Sequence, residues 1–164
     1  MVREGYYFGE AAGVNDLYYE DLEVGQTIVS RAEAVGRDRI VEFAREFDPQ
    51  PQHLDEEQAR TSMFGELVAS GWHTAALTMR LQSDCVMGRF PGGSMGVQID
   101  KLAWLRPVRP GDTLRAKIEV LAMRPSRSRP DRGVVTLRTT TLNQRDEPVQ
   151  EMTASILAPR RPVA

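Results

Sequence analysis

Residues 47–76 read FDPQPQHLDEEQARTSMFGELVASGWHTAA. A carboxylate, Asp48, and an imidazole, His53, stand close together there on a segment punctuated by Pro49 and Pro51. Proline has no N–H and drives its predecessor toward extended backbone, so the two groups are expected on a stiffened loop and not on a helix. Farther along, Ala69-Ser70-Gly71 opens an apolar run of helical character, with Ser70 as its N-cap and Gly71 as a point where another group approaches the backbone closely. A helix start carries free N–H donors and the positive end of the dipole, the equipment that holds a developing oxyanion. A lone Asp or His in a proline-rich loop is ordinarily a turn or capping residue. The joint occurrence of acid/base pair and helix start is what turns the reading toward chemistry.

Outward from this stretch, Ile40, Phe43, Ala44 and Phe47 recur at helical spacing with Arg39, Glu42, Arg45 and Glu46 between them. This predicts an amphipathic helix over 37–47 that delivers Asp48. Asp55 is placed to cap a short helix through Glu56, Glu57 and Ala59, the acidic pair suiting the dipole. From 71 to 87, Trp72, Ala75, Ala76, Leu77, Met79 and Leu81 make the first turns apolar on nearly every side, which predicts a helix surrounded by protein. Met79 and Met87 read as core filler, Cys85 as a small buried hydrophobe, and Asp84 as nearer solvent. Strand-type runs occupy 27–35, 95–105, 113–123, 133–142 and 148–157, separated by turn residues that suggest antiparallel hairpins. The glycine-rich segment 90–96 follows a helix and precedes a strand, the reverse of a phosphate-loop context. Residues 1–17 form an N-terminal arm without a period, in which Tyr6, Tyr7 and Phe8 are pins or a lid; 18–159 are one α+β domain, helix on sheet, and 160–164 a tail.

With 164 residues and 41% hydrophobic content, the chain suits one domain with a true core. Twenty-one basic against 23 acidic side chains leave a net charge of −2, so no electrostatic footprint for nucleic acid or an anionic membrane is expected. A single cysteine excludes an internal disulfide and a Cys-based zinc site, and no signal or membrane segment is read, so a cytoplasmic protein is expected.

Asp48-Pro-Gln-Pro-Gln-His53, His53-Leu-Asp55, Phe64-Gly65 and Ala69-Ser70-Gly71 together resemble the signature of the MaoC-like or (R)-specific enoyl-CoA hydratase family, D-x-N-P-x-H followed by F-G and H-G. The similarity runs from about residue 19 to 157, with Gln50 in place of Asn, Gln52 in place of an aliphatic residue and Ser70 in place of His. The resemblance implies a hot-dog fold, an antiparallel sheet around one long helix, with subunits paired through their sheets as a homodimer or larger homo-oligomer. It implies a hydro-lyase that hydrates an enoyl-CoA or dehydrates a 3-hydroxyacyl-CoA, with coenzyme A as part of the substrate and no metal or redox cofactor. Asp48 and His53 are then the candidate catalytic pair, and Gly71, Ser70, Gln50, Gln52 and Phe64 the candidate oxyanion and substrate-binding residues. His73 is a second candidate base, more readily a core or interface histidine, and Ser70 lacks the G-x-S-x-G context of a nucleophile. Arg124, Arg127, Arg129 and Arg132, like Lys101 and Arg106, are either phosphate contacts or a solvated basic surface. Gln50 and Gln52 suggest an acyl group with a polar substituent. A hot-dog thioesterase and a non-catalytic acyl-binding module are the competing readings.

Overall fold

The computed structural model describes residues 6–7 and 16–162. Four long strands carry the molecule: β4 (Met95–Trp104), β5 (Thr113–Pro125), β6 (Arg132–Leu142) and β7 (Pro148–Pro159). Short strands β1 (Tyr6–Tyr7), β2 (Thr27–Val29) and β3 (Glu33–Ala34) precede α1 (Arg37–Phe47), α2 (Pro51–Leu54), α3 (Glu56–Ala59) and α4 (Gly71–Cys85). The sheet runs β1-β2-β5-β6-β7-β4, with β3 also paired to β5. Every pairing is antiparallel except β1 on β2, where Tyr6 stands beside Ile28. Phe8 and most of the arm lie outside the described residues.

Burial on β6 alternates residue by residue, sending Val135, Leu137, Thr139 and Thr141 inward. This period of two is what a sheet with one covered face requires. Against it α4 lays Leu77, Leu81 and Cys85, which join Ile28, Leu114, Ile118 and Val120 in the main core. Helix on antiparallel sheet, in one α+β domain, is the expected hot-dog arrangement.

Four expectations change in detail. Pro51 begins a helix: at the first helical position its missing N–H would have had no partner anyway, so His53 sits on α2 and not on a loop. The first long strand is two short ones, β2 and β3. β4 does not form a hairpin with β5 but crosses the molecule to pair with β7 and end the sheet. Finally, α4 is not surrounded within one chain. Trp72 and Met79, seven residues apart and so on one side of the helix, are 59% and 49% exposed, because the sheet covers only the opposite side. Met95, Val97 and Ile99 of the end strand β4 are also exposed. Tyr19 lies on β6 at Gly133, where a side chain would enter its ring, and Arg160 stacks over the same tyrosine.

Candidate active site

The site is assembled where α1, α2 and α4 meet. α1 stops at Asp48, whose amide bonds back to the Ala44 carbonyl, and the turn closes through Gln50 N–H to Asp48 O and His53 N–H to Gln50 O. The strand-like segment before α4 is strapped alongside, Val68 N–H donating to Gln52 O and Ala69 N–H to Val108 O. The Val68 carbonyl lies 2.8 Å from His53 Nδ1. A carbonyl only accepts, so Nδ1 carries the proton and the neutral ring presents Nε2 as a base. That Nε2 stands 3.6 Å from Asp48 Oδ2, too far for a direct hydrogen bond and close enough for both atoms to meet one water-sized molecule.

Asp48 is held from two sides. Ser70 Oγ donates to its Oδ2 at 2.6 Å and Gln50 Nε2 to its Oδ1 at 2.7 Å. The Ser70 bond first and the Gln50 bond second keep its carboxyl below the usual aspartate range, against the smaller opposing effect of burial. Ser70, fully buried, also caps α4 by accepting the Trp72 N–H at 3.2 Å. Gln52 Nε2 donates to Gln50 Oε1 at 3.0 Å, so Gln50 is itself held in place.

Asp48, His53, Gly71, Ser70, Gln50, Gln52 and Phe64 all line one cleft of about 590 Å³. The Gly71 amide, first in α4, has no intrahelical acceptor. The group that approaches Gly71 is Trp104 from the end of β4, whose ring atoms lie 2.7–3.1 Å from where a Cβ would be. The departures Gln50 and Ser70 thus act on Asp48, and the amide N–H groups of Gln50 and Gln52 are engaged within the chain. His73 does not line the cleft: it is 4% exposed and stacks on Phe43 at 4.8 Å, and burial, aided by Arg39, pushes its pKa down to about 4. The arginine-bearing loop between β5 and β6 lies at the Met95 end of the sheet, the length of β4, about 30 Å, from Trp104. Arg106 does line the cleft and donates to the Pro148 carbonyl, whereas Lys101 pairs with Glu151.

Sequence reasoning missed Trp72 and Trp104 as lining residues and Val68 as the orienter of His53, while Arg106, open there between a phosphate contact and a solvated surface, does line the cleft. Trp104 left one signal, a large aromatic closing a strand directly before Leu105-Arg106-Pro107. A second, mainly apolar cavity of about 630 Å³, between Met79 and Gln82 of α4 and Val97 and Ile99 of β4, contains none of the expected site residues. Among the described residues no three His, Cys, Asp or Glu side chains gather as metal ligands, and no helix is long and apolar enough to cross a membrane.

Residues 21–143 match the family model described as MaoC like domain. A crystal structure of a MaoC-like dehydratase from Rhodospirillum rubrum superposes with a TM-score of 0.83 at 51% identity, covering 90% of this chain and 99% of that one. The 3-hydroxybutyryl-CoA dehydratase of Methylorubrum extorquens is 38% identical over 115 residues, 69% of each chain. The (R)-specific enoyl-CoA hydratase of Rhodospirillum rubrum is 31% identical over 146 residues, 88% of this chain and 93% of its own length. With the matched segment enclosing every residue of the cleft from Asp48 to Val108, this chain belongs to the MaoC-like dehydratase family.

Proposed function

We propose that this protein catalyses the reversible addition of water to the double bond of a trans-2-enoyl-CoA, giving a 3-hydroxyacyl-CoA. The observation that carries the reading is the convergence of His53 Nε2 and Asp48 Oδ2, 3.6 Å apart, in a cleft that also holds the start of α4. In the hydration direction His53 Nε2 takes a proton from water as the water oxygen bonds to C3. The electron pair of the double bond moves through C2 toward the thioester oxygen, which the Gly71 amide and the helix dipole stabilise. The imidazolium then returns the proton to C2, so that one water supplies both new substituents. Asp48, kept ionised by Ser70 and Gln50, orients the water and steadies the charged imidazole. No metal or redox cofactor enters the scheme. Arg106 at the cleft rim is the cation available to a coenzyme A phosphate.

The assembly is proposed as a homodimer joined along β4, the free end of the sheet, whose exposed Met95, Val97 and Ile99 need a cover. In an antiparallel two-fold pair the Met95 end of one strand meets the Trp104 end of the other, bringing the partner's arginine loop toward this cleft. Two of the curated relatives support the class of reaction, one named for dehydration of 3-hydroxybutyryl-CoA and one for hydration of enoyl-CoA.

The test is a panel of short, branched and dicarboxylic enoyl-CoAs, followed by loss of the conjugated thioester absorbance. Hydration by the wild type is expected, with Asp48→Asn and His53→Ala each lowering kcat by at least about 100-fold. Inactivity across the panel overturns the reading, and release of free coenzyme A from saturated acyl-CoAs would replace it with a thioesterase.

A further inference from the structure

Trp104 touches the reaction's geometry at one point. The Cβ that Gly71 lacks would fall 2.7 Å from Cε2, 2.8 Å from Cδ2 and 3.1 Å from Cζ2 of the indole. Cε2 and Cδ2 are the atoms shared by the two rings, and nothing reaches that bond in the ring plane. The flat face of Trp104 therefore rests on the Gly71 Cα. An oxygen accepting from the Gly71 amide lies about 2.9 Å from its nitrogen, which is about 1.5 Å from that Cα. Trp104 and Gly71 line the same cleft, so the indole is a wall available to the acyl carbons that follow such an oxygen.

The ring, 45% exposed, is tethered at its nitrogen. Its Nε1–H donates to Gln150 Oε1 at 3.0 Å, and the wholly buried Gln150 passes its own Nε2 to Thr78 Oγ1 at 3.1 Å. Thr78 is bonded in turn to Thr141 Oγ1 at 2.7 Å and to the Thr74 carbonyl, so the chain of bonds ties the indole to β7, α4 and β6 together. Trp72 adds an edge-to-face contact with Trp104 at 5.3 Å. Swinging the ring outward would abandon the Gln150 acceptor inside the core.

We propose that Trp104 is a specificity-determining residue: a fixed wall beside C2 of the acyl group that disfavours substituents on that carbon. The assignment rests on the thioester oxygen meeting Gly71 as proposed above. One added methyl group against such a wall changes affinity about 10- to 200-fold. The assay is calorimetric binding of propionyl-CoA and isobutyryl-CoA, which differ only by one methyl group on C2 and, being saturated, cannot be hydrated.

Wild-type protein is expected to bind propionyl-CoA at least about tenfold more tightly than isobutyryl-CoA. Trp104→Ala is expected to bring that ratio near one, and Trp104→Phe, which keeps a ring on Gly71 with less bulk and so supplies the answer if the alanine variant does not fold, to lower it part of the way. A wild-type ratio near one, including no measurable binding of either thioester, overturns the proposal. So does a ratio that both variants leave unchanged. Hydration of crotonyl-CoA by the wild type, recorded in parallel, judges the proposed reaction separately, since the binding ratio does not depend on turnover.

Discussion

Asp48 keeps its charge through two neighbours, and the more intimate is Ser70, whose single hydroxyl donates a hydrogen bond to the carboxylate and accepts one from the Trp72 amide. Replacing Ser70 by Ala removes both bonds. The Asp48 carboxyl is expected to titrate closer to the ordinary aspartate value of about 3.9, read from its carboxyl carbon resonance. Loss of the cap alone costs about 1 kcal/mol, visible as a lower midpoint in denaturant. The sign of the pH effect follows from the direction of the shift: a lowered carboxyl stabilises the fold fully above its unfolded pKa and ceases to do so as pH falls through the folded one. Ser70→Ala should therefore narrow the difference in stability between neutral and acid solution. Ser70 as a cap was legible from its place before Gly71 and an apolar run. Its bond to Asp48 was not, because the partner lies 22 residues back and reaches it only through the packing of α1 against α4.

Elements were legible where period and punctuation agreed. The 3.6-residue spacing of Ile40, Phe43, Ala44 and Phe47 marks α1 to its observed ends, and Asp55 caps α3 by accepting the Gln58 amide. α2 was hidden because Pro51 reads as a breaker until its position in the helix is known. Strand partners were hidden as well: alternation on β4 carries no information about which strand lies beside it, and hairpin economy favours β5 over the observed β7. Between α1 and α4 lies His73, stacked on Phe43, its Nδ1 buried with no hydrogen-bond partner among the described residues and its pKa lowered to about 4. The unfolded chain binds a proton there from about pH 6.5 downward and the native chain does not, so stability falls as pH drops through that interval. Since each unit of pKa difference corresponds to about 1.4 kcal/mol, the loss by pH 4 is on the order of 3 kcal/mol. His73→Phe keeps an aromatic ring on Phe43 and removes the proton, and its denaturation midpoint should be flatter than the wild type's over the same range.

On the scale of the whole molecule, layer architecture and core were legible from the Asp48–Gly71 motifs and four alternating strands, while the exposure of Trp72 and Met79 was not. The apolar composition of α4 asks for cover on more sides than one sheet provides, and the exposed Ile99 of β4 is part of the same open surface. If a second copy supplies that cover, Ile99→Lys should sediment with the mass of one chain while the wild type sediments with that of two; a wild type already at single-chain mass removes the dimer. The double duty of Ser70 carries a consequence for warm solutions. When the first turn of α4 frays, the tether on Asp48 is released in the same motion, so heat inactivation should precede global melting. Its temperature profile should track the loss of hydrogen-exchange protection at the Trp72 amide, and enzyme cooled before the core opens should regain its full rate.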